Sequence, residues 1–360
     1  MEYNNDKSYD YFDGAFYPGY DRIKTKGIIS RLFLAVFCYT LISYTVVFLA
    51  EIITFLFAGR DNAISILKNP YYIFSVQVLS MYVIALPFFV LICRTGKTKL
   101  SAERIAAIKN EKRKSEMKID ELVILFFISV AVMIFGGMIS NAFTSFLSSI
   151  LGHNIDNTTE ELIENSPIWL VIAVAVIIGP IVEEFIFRKI FIDTLSEFGR
   201  GYSIILSSVA FGVFHGNFSQ VLYATLLGFI LGYIYVKSGR LLYSVLMHVA
   251  LNFFGTVPTL LVSDSIKKLT DASLGGAAGS VSFDYFSDAM NVLGVIFLQY
   301  GFAIAGVILL CCFLFKRKYK IPFAKEMYIP HRELINLTLI NPGMIAFLAV
   351  TVLQFVLSVL

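Results

Sequence analysis

The chain has 360 residues, 57% of them hydrophobic and only 15% charged, with a mean hydropathy of +0.76. Soluble domains carry about 25% charged and 45–50% apolar residues, so a water-soluble fold, which must wrap its core in polar side chains, is excluded. The net charge of +3, from 29 Lys and Arg against 26 Asp and Glu, is too small for nucleic-acid binding, and membrane lipid is the expected surrounding.

In chain order, residues 1–28 are polar and Tyr-rich, lack the short apolar run of a signal peptide, and read as a cytoplasmic tail. A hydrocarbon core takes about 20 apolar residues of helix to cross. Nine stretches approach that length: Leu32–Phe57, Tyr71–Cys93, Leu122–Leu147, Ile168–Phe191, Tyr202–Gly216, Gln220–Lys237, Leu241–Val262, Asn291–Phe315 and Pro342–Leu360. The fifth is short, and the fourth is interrupted by charges. The predicted fold is therefore an all-α polytopic bundle of about nine spans. The expected segments are the tail at 1–28, a transmembrane pair with a basic loop at 29–121, a membrane core at 122–262, and an outer loop with the last spans at 263–360.

Lys and Arg favour cytoplasmic loops, and a cytoplasmic N-terminus leaves only Arg60, Lys68, Lys267 and Lys268 outside. The Arg94–Lys118 loop alone holds nine basic residues; it reads as a solvated linker, with a basic surface helix over Arg104–Lys118 as the alternative. Ser148–Pro167 and Ser263–Met290 read as flexible outer loops. Cys38, Cys93, Cys311 and Cys312 all lie in or beside apolar runs without disulfide spacing, so they read as small hydrophobes.

The fourth span, IWLVIAVAVIIGPIVEEFIFRKIF, carries Glu183, Glu184 and Arg188. One ionised residue at a helix centre costs about 2.5–3.5 kcal/mol on insertion scales, so three need compensation. Glu184 and Arg188 are spaced i,i+4 and can pair, whereas Glu183 lies about 100° around the helix and is left for acid–base work. Pro180 removes a backbone donor, which should free the carbonyl of Val176 and kink the wall beside Glu183. In the fifth span Phe211 and His215 are i,i+4, so the phenyl ring can restrict the imidazole. In the seventh, His248 and Asn252 share a face; Asn252 can orient the ring, or both can donate to an anion. Gly228 and Gly232 in the sixth form a small-xxx-small pattern suited to close helix packing; the oligomeric state is left open.

The ordered set EExxxR (Glu183, Glu184, Arg188), FxxxH (Phe211, His215) and HxxxN (His248, Asn252) resembles the CAAX-protease and bacteriocin-processing family, the Abi group of intramembrane proteases similar to type II CAAX prenyl endopeptidases. The likeness covers residues 168–256. It implies an all-α bundle with a polar cavity, in which Glu183 activates water with His215 as proton carrier. It further implies that His248 and Asn252 stabilise the oxyanion and that Glu184–Arg188 braces the site. The substrate would be a membrane-bound protein or peptide. Zinc or another divalent metal on Glu183, His215 and His248 and a metal-free route with glutamate as base both stay open. The competing functions are a non-proteolytic regulator or bacteriocin-immunity protein of the same fold, and a proton-coupled transporter.

Overall fold

The computed structural model describes residues 11–12, 15–16, 22–94, 117–155, 158–274, 283–315, 329 and 331–359. Apart from a two-residue antiparallel pair, Tyr11–Phe12 with Ala15–Phe16, its regular structure is helical. The helices are α1 (Arg22–Ala58), α2 (Arg60–Leu67), α3 (Pro70–Arg94), α4 (Ile119–Leu151), α5 (Thr158–Glu164), α6 (Ile168–Leu195), α7 (Arg200–Phe214), α8 (Phe218–Ser238), α9 (Leu241–Leu261), α10 (Ser263–Leu274), α11 (Phe283–Phe315), α12 (His331–Leu339) and α13 (Pro342–Leu357).

Seven of these (α1, α3, α4, α6, α8, α9 and α11) are long and apolar enough to cross a membrane, and an eighth crossing is reached if α12 and α13 count as one bent span. The nine expected spans thus resolve into seven full helices, one bent pair and one short helix. The short one is α7: its 15 residues extend only about 22 Å by helical rise, less than the roughly 30 Å hydrocarbon core. The bend between α12 and α13 is 61°, and Asn341 makes it tolerable. Its Nδ2 donates to the carbonyls of Leu337 and Thr338 while its Oδ1 accepts from the Met344 amide, so one side chain caps both broken ends.

Two sequence expectations about loops are corrected. The segment expected as a flexible loop over Ser263–Met290 is helical over Ser263–Leu274 and again from Phe283. Likewise Ser148–Pro167 contains the end of α4 and all of α5. Both stretches are polar enough to read as loops, yet helix satisfies most of their backbone groups internally. Helix α1 also begins at Arg22, inside the expected tail. Residues 104–116 of the basic loop lie outside the described residues.

Contacts divide the chain into two units. The first takes in α1–α3, the end of α6, the start of α7, and α12–α13. Phe33 of α1 packs on Phe191 and Phe347 with ring centroids 5.6 and 5.3 Å apart, Arg22 pairs with the buried Glu333 at 2.7 Å, and Tyr202 bonds Thr338 at 2.6 Å. The second unit holds α4, most of α6, the rest of α7, and α8–α11. Here α4 packs against α8 and α11 through a core that includes Leu125, Leu227, Leu231 and Leu251, and Phe127 stacks on Phe302 at 4.7 Å. Where the membrane boundary would fall, Glu121 of α4 is bonded to both Lys237 and Tyr233 of α8.

Helices α7 and α8 cross in close contact within this unit. A Cβ on Gly228 would lie 2.9 Å from the Ser208 Cα, and one on Gly212 would lie 1.9 Å from Thr225 Oγ1 and 2.7 Å from two backbone atoms. Small residues here let the backbones touch, which supplies the dispersion contact that holds helices together in lipid. Gly212→Val is expected to destabilise the protein by about 1–3 kcal/mol through overpacking. Gly294→Ala, whose added methyl meets nothing within 4 Å, should leave the thermal midpoint in detergent unchanged.

Candidate active site

All seven motif residues fall within the second unit, on α6, on or just past α7, and on α9. Helix α6 supplies the acidic face. It is α-helical over Gly179–Glu184, but on both sides, at Ile172–Ile178 and Phe185–Ile192, it winds with i→i+5 hydrogen bonds. Pro180 does not break it, and the helix runs on from Ile168 to Leu195. The Gly179 amide donates to the Val174 carbonyl, and the next donor in that register, toward Ala175, would be the nitrogen of Pro180, which has no hydrogen. In this register the Ala175 carbonyl is left without a donor from its own helix.

Glu184 is fully buried at the centre of the constellation. Its Oε2 lies 3.2 Å from Arg188 Nε, with both side chains 0% exposed, and its Oε1 lies 3.0 Å from Nδ1 of His248 on α9. The i,i+4 pairing expected from the sequence is present, and the carboxylate serves a second helix as well. Ser244, one turn before His248 on the same stripe of α9, is buried and donates its hydroxyl to the Leu241 carbonyl at 3.0 Å. Arg188 has no hydrogen-bond partner for any of its three guanidinium nitrogens among the described residues, since its approach to Glu184 is close but poorly aligned. Its charge is offset by that carboxylate and by the face of Phe211, whose centroid is 4.6 Å from Cζ, a cation–π contact strengthened by desolvation.

Glu183 takes the other outlook expected from its position. A quarter of its side chain is exposed, and its Oε2 faces His248 Nε2 at 3.7 Å. His248 thus stands between two carboxylates, held at Nδ1 and open at Nε2. An ionised Glu184 can only accept, so Nδ1 of His248 carries a proton. The separation on the other side is too long for a direct hydrogen bond and leaves Nε2 turned toward Glu183.

His215 sits just beyond the last residue of α7, where Gly216 at φ +66 ends the helix. Its Nδ1 lies 2.8 Å from the Phe211 carbonyl; a carbonyl only accepts, so the proton is on Nδ1 and Nε2 is free to accept. Asn217 fixes this turn by donating to the His215 carbonyl and capping α8 through the Gln220 amide. The ring of Phe211 meets His215 edge-on at 4.9 Å and His248 edge-on at 5.7 Å. Phe211, known from sequence only as a partner of His215, is the shared wall of both imidazoles and of Arg188.

Asn252 departs from expectation. It does not orient the His248 ring, which Glu184 holds; its Nδ2 donates instead to the Ala175 carbonyl at 3.1 Å, the acceptor that Pro180 orphans. Ala175 is the participant that sequence reasoning missed, because its carbonyl carried no side-chain signal.

Both imidazoles present a free Nε2, a tautomer that suits a metal ligand or a bound water equally. Among the described residues, however, no three His, Cys, Asp or Glu side chains are grouped as a metal-ligand set. Glu183, His215 and His248 are therefore not drawn into the three-ligand centre left open by the sequence.

Residues 165–254 match the family model for the Type II CAAX prenyl endopeptidase Rce1-like domain. All seven motif residues fall inside that match. Two curated bacterial proteins are similar. Over 111 residues the chain is 32% identical to the "Putative membrane peptidase YdiL" of Bacillus subtilis (strain 168), covering 31% of this chain and 46% of that protein. Over 150 residues it is 29% identical to the "Membrane-embedded CAAX protease MroQ" of Staphylococcus aureus (strain USA300), covering 39% and 59%. The chain spans about half the length of the curated relatives it matches. No solved structure matches. The Rce1-like match is confined to residues 165–254, and with its apolar helices the chain is a multi-pass bacterial membrane protein.

Glu184 separates stability from chemistry in a testable way. Glu184→Gln leaves the buried guanidinium without its counter-charge and should cost about 3–5 kcal/mol. The thermal midpoint in detergent should fall markedly. Glu183→Gln, at a partly exposed position with no bonded partner to lose, should leave that midpoint within about 2 °C of the parent.

Proposed function

We propose that this protein is a membrane protease that hydrolyses a peptide bond of a membrane-associated protein or peptide, with Glu183 as the base that activates water. The observation that carries the reading is His248 anchored to Glu184 at Nδ1 and facing Glu183 across 3.7 Å at Nε2. The Rce1-like match over the same residues supports it.

The chemistry follows from the donors and acceptors available. Glu183 takes a proton from water, whose oxygen attacks the substrate carbonyl carbon as the carbonyl π bond opens to an oxyanion. His215, with Nε2 able to accept, assists as proton carrier. The oxyanion is met on α9 by His248 and by the second amide hydrogen of Asn252. When the tetrahedral intermediate collapses, the C–N bond breaks and Glu183 returns the proton to the leaving nitrogen. One water is consumed and a carboxylate and an amine are released. Donors fixed in a water-poor site contribute several kcal/mol to such a transition state, and a positioned base typically contributes 10²–10⁴-fold. No step runs through a metal.

The experiment is cleavage of a membrane-anchored peptide by purified protein in detergent or liposomes. Glu183→Gln should lower kcat by at least about 10²-fold with fold retained, and His248→Ala should do the same. Treatment with a chelator should leave the rate unchanged. Full activity in Glu183→Gln would move the base elsewhere, and loss on chelation restored by zinc would demand a metal route.

The alternatives make different demands. A regulator or immunity protein of this fold would keep its cellular phenotype in Glu183→Gln. A proton-coupled transporter would drive solute flux down a pH gradient.

A further inference from the structure

The Glu183-bearing helix contains a vacant hydrogen bond that only another helix can fill. In the i→i+5 winding of Ile172–Ile178, the Gly179 amide is committed to Val174, so the Ala175 carbonyl would look to residue 180. Proline there has no N–H. A carbonyl in an apolar helix wall, away from water, needs a donor, and Asn252 Nδ2 supplies it at 3.1 Å from α9. The acceptor lies eight residues before Glu183 on the same helix, and the donor lies one turn after His248 on the other. The bond therefore joins, backbone to side chain, the two helices whose Glu183 and His248 must face each other at 3.7 Å.

We infer that Asn252 is a positioning residue: its amide substitutes for the N–H that Pro180 lacks, and so sets the register of α6 against α9 that brings Glu183 to His248. The kinetic side of this inference rests on the protease reading; the structural side does not.

Pro180→Ala is the discriminating change. With proline replaced, Ala175 finds a donor in either winding: the N–H restored at position 180 in the i→i+5 register, or the Gly179 N–H if the helix relaxes to i→i+4. The positioning role of Asn252 then becomes redundant. In the parent background, Asn252→Ala should lower kcat at least about 10-fold with KM within about twofold, because substrate binding does not use the Ala175 bond. It should also lower the thermal midpoint by several degrees. In the Pro180→Ala background the same substitution should lower kcat several-fold less than in the parent, the loss of the oxyanion donor being common to both, and barely move the midpoint, a coupling that double-mutant cycles are designed to read.

Equal losses in both backgrounds would overturn the inference and assign Asn252 wholly to contact with substrate. If Pro180→Ala is itself inactive, the thermal cycle decides alone. If the parent protein cleaves nothing, the protease reading fails, and the thermal cycle still tests the Ala175–Asn252 bond.

Discussion

One buried carboxylate organises the chemistry of this protein. Glu184 has no exposure, carries a charge in the middle of an apolar helix, and is shared between Arg188 on its own helix and His248 on another. Neither neighbour is easily kept without it. A guanidinium with no hydrogen-bond partner and 0% exposure would be expensive in a low-dielectric wall. An imidazole without a partner at Nδ1 would be free to flip. The carboxylate compensates the charge of Arg188 and fixes the ring of His248 at once, so the cost of desolvating it is offset twice. Phe211 completes the arrangement from the third helix, with the cation over its face and an imidazole at each edge.

The two glutamates show how adjacent residues acquire different roles from helix geometry alone. A step of 100° turns Glu184 inward to Arg188 and His248 and leaves Glu183 a quarter exposed with no bonded partner. The structural carboxylate is locked by the groups it compensates. Its neighbour keeps access to water and to the open nitrogen of His248, which is what a proton-transferring group needs.

Much of this was legible in the residues. The charge deficit required a membrane bundle, the i,i+4 spacing of Glu184 with Arg188 and of Phe211 with His215 predicted contacts that exist, and the three motifs named every charged or imidazole participant. What was not legible has a common physical cause: it depends on distances between helices or on backbone register. The Glu184–His248 bond joins residues 64 positions apart, and no periodicity reports it. Pro180 signalled a lost donor, but that the Ala175 carbonyl lacks one depended on the i→i+5 winding of α6, and it is this carbonyl that Asn252 serves. Helix α7 read as a short span because its composition is apolar throughout; only the turn at Gly216, with Asn217 fastening both sides, places His215 at a helix end instead of within one. The helices over Ser263–Leu274 and Thr158–Glu164 were hidden because Ser, Asp and Glu are turn formers in water but also ordinary first-turn residues of a helix.

The end position of His215 bears on how the two histidines divide their labour. Both are protonated at Nδ1, but their partners differ in kind. His248 donates to a carboxylate that is itself anchored by Arg188, so its ring is held in one orientation with Nε2 toward Glu183. His215 donates to a neutral backbone carbonyl of its own helix, which holds the ring at the end of α7 and leaves Nε2 as an acceptor. One ring is thus oriented across two helices and the other within one turn. The difference in partner, set by a Glu on α6 for one ring and by the last turn of α7 for the other, gives two chemically identical side chains different surroundings in one site.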